Sequence, residues 1–295
     1  MIEIDIGPNV FSVEFIQLWT ISWHGFFSFV AVAMAVILIG RWAHLLVVDQ
    51  DTDRRLDPDV IYSIAIWAII GGVLGARLVH VIDNWGEIYS QRPSQILFLW
   101  SGGIGLWGGI LGGFVAGTVY ALIAKHPVGI IADLSAPAIL FSQAIGRLGD
   151  IINGEHCANA TELFFGFRWV HPETAARFCA SGFGNAVHPV IAYEMIWTMI
   201  SLVIVWNLRG RLKPDGMLFA LYLALYAIGR FGISFLREDR VWAMGMQEAH
   251  FIAILVLMIT VPLLAAKARL TSPSVEGALV TDRRSRAERR RRARR

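Results

Sequence analysis

The residues from Gly146 to Ala158 (GRLGDIINGEHCA) bring together the groups in this chain best suited to chemistry. Arg147, Asp150, Asn153, Glu155 and His156 follow in close order at the end of an apolar run. A guanidinium binds phosphate or carboxylate through a planar fork, and carboxylates and imidazoles exchange protons. Charge at bilayer depth costs about 2.5–3.5 kcal/mol per residue on insertion scales, so such residues mark sites. Arg147 has two counterparts, Arg77 and Arg230, each late in another apolar run and beside small residues (GGVLGAR, AIGR, YAIGR). One arginine near a helix end can simply snorkel to the interface. Three on one level fit a shared anionic ligand, and the abundant anion at that depth is a lipid phosphodiester.

Whether they share a level depends on the elements that carry them. The 295 residues are 56% hydrophobic and 17% charged, with a mean hydropathy of +0.56. That balance excludes an ordinary soluble domain and predicts an all-α polytopic membrane protein. A helix needs about 20 residues to cross a bilayer. Seven apolar segments qualify: Leu18–Ile39, Val60–Ile82, Ile96–Ala124, Gly129–Gly149, Val190–Leu208, Gly216–Leu236 and Glu248–Ala266. The remainder divides into an outer N-terminal segment (1–17), a head loop (150–189) within the membrane domain (18–266), and a basic cytoplasmic tail (267–295). Lys and Arg in the short connections favour an N-out, C-in orientation: without the tail, nine fall on the inner side and five on the outer.

With that topology the second, fourth and sixth segments run outward, and Arg77, Arg147 and Arg230 lie within roughly 10 Å of their outer ends at 1.5 Å per residue. His24, Asp83, Tyr193 and Glu194 reach the same level. Glu194 or Asp150 can instead serve as a structural counter-charge to an arginine. Asp133 lies near the opposite end and is expected to serve packing or capping, while Trp23 and Trp85 read as interfacial anchors.

Other features are less specific. SGGIGLWGGILGG (Ser101–Gly113) holds seven glycines, which fits either close helix packing or a broken segment lining a cavity. The long head loop carries both cysteines, Cys157 and Cys179, as a disulfide or as two free thiols. No metal-ligand spacing and no cleavable signal peptide is recognised. Nine arginines crowd the tail from Asp282 to Arg295. Nothing folded accompanies them, so they suggest a solvated tail or contact with anionic lipid rather than nucleic-acid binding.

The motifs SWHG (Ser22–Gly25), GARL (Gly75–Leu78), GGIGLWGG (Gly102–Gly109), GRLGDIINGE (Gly146–Glu155), HPVIAYE (His188–Glu194) and GRFGISFLR (Gly229–Arg237) together resemble the prolipoprotein diacylglyceryl transferases. The resemblance implies a seven-span body with an extracytoplasmic head in the bacterial cytoplasmic (inner) membrane. It also implies transfer of the diacylglyceryl group of phosphatidylglycerol to the lipobox cysteine of a prolipoprotein, with release of glycerol phosphate. The expected partners are phosphatidylglycerol and the signal-peptide region of the prolipoprotein, and no cofactor or metal is expected. Carried onto this chain, Arg147, Arg230, Glu155 and His24 stand as catalytic residues. Arg77, Arg147, Arg230, Asp150, Asn153 and Glu194 stand as the site for the lipid phosphate and head group.

Five positions depart from the family pattern: Trp107 for a His, His24 for a Tyr, Asp150 for an Asn, Ala158 for a Gly and Ser234 for a Glu. Tryptophan cannot accept a proton. Either another base serves, His24 or His156, or the chain is a paralogue that binds lipid or lipoprotein without transfer. A phospholipid transporter is disfavoured, because neither an internal repeat nor a charge relay crosses the spans.

Overall fold

The structure is a computed structural model and describes residues 1–12, 20–45, 59–98, 103, 105–181 and 183–271. Seven helices dominate: α1 (Trp23–Leu45), α2 (Val60–Asp83), α3 (Leu106–Ile123), α4 (Val128–Asn153), α5 (Val190–Leu208), α6 (Met217–Ser234) and α7 (Glu248–Lys267). All seven are long and apolar enough to cross a membrane. They bear out the expected seven-span helical body, and α5 matches its expected bounds at both ends.

Where the bounds differ, the reason is local. Helix α3 starts at Leu106 rather than Ile96, because Pro93–Leu97 forms a 3-10 turn and Gly103 adopts a φ of +78°. Glycine carries the largest backbone entropy into a helix and so holds one there weakly. Helix α4 runs on to Asn153, past the expected Gly149. Short strands, absent from the sequence-based expectation, form four two-stranded pairs: β1 (Ile2–Ile4) with β4 (Phe167–Trp169), β2 (Asn9–Ser12) with β3 (Thr20–Ser22), β5 (Leu212–Lys213) with β8 (Arg269–Leu270), and β6 (Val241–Ala243) with β7 (Met246–Gln247). The first pair is parallel, joining the N-terminus to the head in the register Ile2↔Phe167. The arginine-rich tail lies outside the described residues.

The chain divides into two compact units, Phe29–Ser142 and Met1–Ser28 with Gln143–Arg295. In the first, α2 and α3 pack through glycine. A Cβ on Gly75 would land on the Gly108 carbonyl, one on Gly112 on the Gly71 carbonyl, and one on Gly71 on Ala116. Close packing is therefore the role of Gly108 and Gly112, since backbone-to-backbone approach needs residues without side chains. Ala43, Val60, Ile61, Ala121, Ile131 and Leu134 form the apolar core of this unit.

The second unit holds the head. Ile4, Ala158, Phe167, Trp169, Ala176, Val187, Val190 and Ile191 build its core. A disulfide joins Cys157 to Cys179, with Cα atoms 5.2 Å apart, which settles the alternatives left open for these thiols. The head also finishes α4. The Trp169 indole donates to the Ile151 carbonyl at 2.7 Å and the Thr174 hydroxyl to the Asn153 carbonyl at 3.0 Å. Terminal helix carbonyls need such partners. Gly154 then ends the helix with a φ of +68°, and a Cβ there would strike the Thr174 hydroxyl.

Candidate active site

The last turns of α4 set the first residues of the site. Arg147 and Asp150 stand three apart on one face, and Arg147 Nη1 donates to Asp150 Oδ2 at 2.8 Å. Gly149 lets the start of α1 approach, since a Cβ there would lie 2.7 Å from the Trp23 carbonyl and 2.8 Å from the His24 Cα. That approach puts His24 Nδ1 2.6 Å from Asp150 Oδ1 and 3.3 Å from Glu155 Oε2. Asn153 donates through Nδ2 to the other oxygen of Glu155 at 2.8 Å.

Helices α5 and α6 complete the cluster. Gly229 leaves room for the Trp197 ring, whose indole nitrogen donates to the Leu225 carbonyl at 2.7 Å. With the two helices seated this way, Glu194 meets the arginines: Arg147 Nη2 lies 2.6 Å away, Arg230 Nη1 2.7 Å and Arg237 Nη1 3.8 Å. Arg237 also donates to Asp239, from Nε at 2.7 Å and Nη2 at 3.2 Å. Burial pushes the Asp239 carboxyl up. The hydrogen bond from Arg237 and the charges of Arg237, Arg230 and His156 outweigh it and hold the carboxyl below the usual carboxylate range.

The two histidines differ in what surrounds their ring nitrogens. Arg237 Nη2 lies 3.1 Å from His156 Nδ1, and Arg147 Nη1 lies 2.9 Å from His156 Nε2. Asp150 Oδ2 faces the same Nε2 at 3.1 Å. Both nitrogens are committed, and His156 is unsuited to act as a base. His24 is the reverse case. Its Nδ1 hydrogen points at Asp150, and among the described residues its Nε2 has no hydrogen-bond partner, on a side chain 44% exposed. A carboxylate behind one imidazole nitrogen orients the ring and leaves the other as an exposed acceptor.

Seven of the sequence-predicted residues, His24, Arg147, Asp150, Asn153, Glu155, Glu194 and Arg230, thus form one connected network within one unit. Arg77 lies in the other unit. There its buried guanidinium donates to the carbonyls of Gln95, Ile96, Phe98 and Gly103, with the Tyr89 ring beside it. Arg237, His156 and Asp239 complete the network. For Arg237, its place at the end of the motif GRFGISFLR, seven residues after Arg230, was the available signal.

Gln143, Arg147, Glu194, Trp197, Tyr226 and Arg230 border a cavity of about 30 Å³, room for a water molecule. Among the described residues, Arg230 Nε and Arg237 Nη1 are buried without a hydrogen-bond acceptor. Buried donors left unmatched are costly, and an anion reaching these guanidiniums would match them. His24, Asp150 and Glu155 offer ligand atoms within 4.8 Å of one another. A cation there would have to displace the hydrogen bond between His24 and Asp150 and sit beside Arg147, which disfavours it. The set reads as a hydrogen-bonded base beside a cationic pocket.

Residues 10–266 match the family model described as prolipoprotein diacylglyceryl transferase. The chain is 31% identical to the phosphatidylglycerol–prolipoprotein diacylglyceryl transferase of Dehalococcoides mccartyi over 270 residues, 91% of this chain and 96% of the relative. It is 31% identical to the enzyme of that name from Symbiobacterium thermophilum, over 90% of this chain and 91% of the relative. For the one from Acaryochloris marina the identity is 33%, covering 84% and 86%.

Proposed function

The chain belongs to the prolipoprotein diacylglyceryl transferase family, and we propose that it transfers the diacylglyceryl group of phosphatidylglycerol to the lipobox cysteine of a prolipoprotein. Asp150 carries this reading, because it touches both halves of the chemistry: Oδ1 holds His24 at 2.6 Å and Oδ2 holds Arg147 at 2.8 Å.

His24 Nε2 takes the proton of the cysteine thiol, whose ordinary pKa near 8.5 leaves little thiolate without a base. The thiolate attacks the glycerol carbon that bears the phosphate ester. The carbon–sulfur bond forms as the carbon–oxygen bond breaks, and glycerol phosphate leaves with the bonding pair. The proton held on His24 passes to the leaving phosphate. Arg147, Arg230 and Arg237 bind the phosphodiester and stabilise the charge that grows on it. Before lipid arrives, Glu194 supplies their counter-charge, and the phosphate brings a negative charge to the same guanidiniums. Glu155 lies 3.3 Å from the same His24 nitrogen that faces Asp150, and Asn153 holds Glu155 in turn at 2.8 Å.

A tryptophan at position 107 is no obstacle to this reading, since His24 provides the proton acceptor. Each relative carries the name of a transferase, so binding without transfer is not favoured. Arg77 enters the reading indirectly, by bracing the carbonyls of the connection before α3. The protein is a multi-pass membrane protein. We place it in the cytoplasmic membrane, N-out and C-in, with the site towards the outside, on the distribution of Lys and Arg in its connections.

The test is turnover. Purified protein in vesicles with phosphatidylglycerol and a lipobox peptide should release glycerol phosphate and diacylate the cysteine, and Arg147→Ala should not. Rescue of cells depleted of their own transferase is the matching assay in vivo. Intact lipid binding with no release of glycerol phosphate by the unaltered protein would overturn the proposal.

A further inference from the structure

Hairpin β6–β7 exposes an apolar tip that neither the fold nor the site requires. Val241 is 57% exposed, Trp242 61% and Met244 88%, more than any other large apolar residue described. The tip pairs Ala243 with Met246, leaving Met244 and Gly245 as the central turn residues with φ of +54° and +73°. Two positive φ values mark a type I′ turn, which selects Asn-Gly or Asp-Gly. Methionine is disfavoured in that backbone region and is ill suited to water, so the turn itself does not explain it.

The surroundings indicate the medium. The hairpin joins α6 to α7, two membrane-length helices, and strands of this size reach only about 10 Å at 3.3 Å per residue. Its tip therefore lies near the depth at which those helices end. Exposed Arg240 stands at its base and Trp242 at its bulge. Tryptophan favours the membrane interface and arginine the anionic head groups. A two-residue turn that exposes its apolar side chains suits entry into a leaflet rather than reception of an apolar peptide. We propose that the hairpin inserts Trp242 and Met244 into the leaflet beside the ends of α6 and α7, with Arg240 at the head-group phosphates. The inference does not depend on the transferase reading.

Both native cysteines are paired in the disulfide, so Met244→Cys provides a single labelling site in the full chain. Bimane attached there, in nanodiscs of phosphatidylcholine and phosphatidylglycerol, should emit further to the blue than the same probe at Glu173→Cys in the head. It should also be several-fold less quenched by iodide, and be quenched by lipids carrying a nitroxide near the head group. Emission and iodide quenching equal to those at Glu173→Cys would overturn the proposal. So would protection that appears only when a lipobox peptide is added. Met244→Asn, which the turn accepts, guards against misfolding: a probe at Ala243→Cys should become more iodide-accessible in that background, and no change would count against insertion.

Discussion

Asp150 joins the base to the pocket, so changes around it should separate proton transfer from lipid binding. His24→Gln keeps a polar side chain at the end of α1 but removes the acceptor. Turnover should fall by about 10²–10⁴-fold, the usual contribution of a general base, while binding of phosphatidylglycerol vesicles stays at the parent level. Normal turnover in that variant would move the base elsewhere. Glu194 faces three guanidiniums and is buried. Removing one partner of a buried ion pair typically costs about 3–5 kcal/mol, so Glu194→Gln should lower Tm in the absence of lipid. Added phosphatidylglycerol should restore more of that loss than it adds to the parent, because its phosphate brings the missing charge.

At the scale of elements, a few residues decide which helices meet. Gly149 is the contact between α4 and the start of α1, and any side chain there would press on the Trp23 carbonyl and His24 Cα. Gly149→Val should therefore reproduce the turnover defect of His24→Gln without touching an ionisable group, with lipid binding retained. The disulfide closes a sequence separation of 22 between the segment after His156 and the 3-10 turn Ala175–Phe178. Chain entropy gives such a link about 2–4 kcal/mol. Reduction, or Cys157→Ser with Cys179→Ser, should lower Tm accordingly and weaken the hold on Arg237, whose neighbour Glu238 donates through its backbone nitrogen to the Cys157 carbonyl at 3.2 Å.

For the molecule as a whole, Arg77 distinguishes support from chemistry. It holds the backbone connecting α2 to α3. Arg77→Lys should lose most of that planar fork, reducing thermal stability more than the kcat of the protein that remains folded. The orientation rests on charge asymmetry and is checked by impermeant labelling of a cysteine placed at Glu173, which should react from outside intact cells. Labelling only after lysis would reverse it.

Hydropathy, the positions of the helices and most of the site's membership were legible in the sequence, because each follows from local composition or from motif spacing. Seven apolar runs became seven helices, and His24, Arg147, Asp150, Asn153, Glu155, Glu194 and Arg230 entered one network. What the sequence could not decide was pairing across long separations. His24 and Asp150 lie 126 residues apart, and neither residue type reveals which imidazole nitrogen would be left exposed. His156 seemed an equal candidate base until Arg237, 81 residues away, was found against one ring nitrogen and Arg147 and Asp150 against the other. The two cysteines also had two readings until the structure joined them, and only the structure showed Gly108 and Gly112 at a helix contact. Amino-acid type sets what a residue can do; the geometry of its neighbours sets which of those capacities remains available, and that is decided only when distant elements pack.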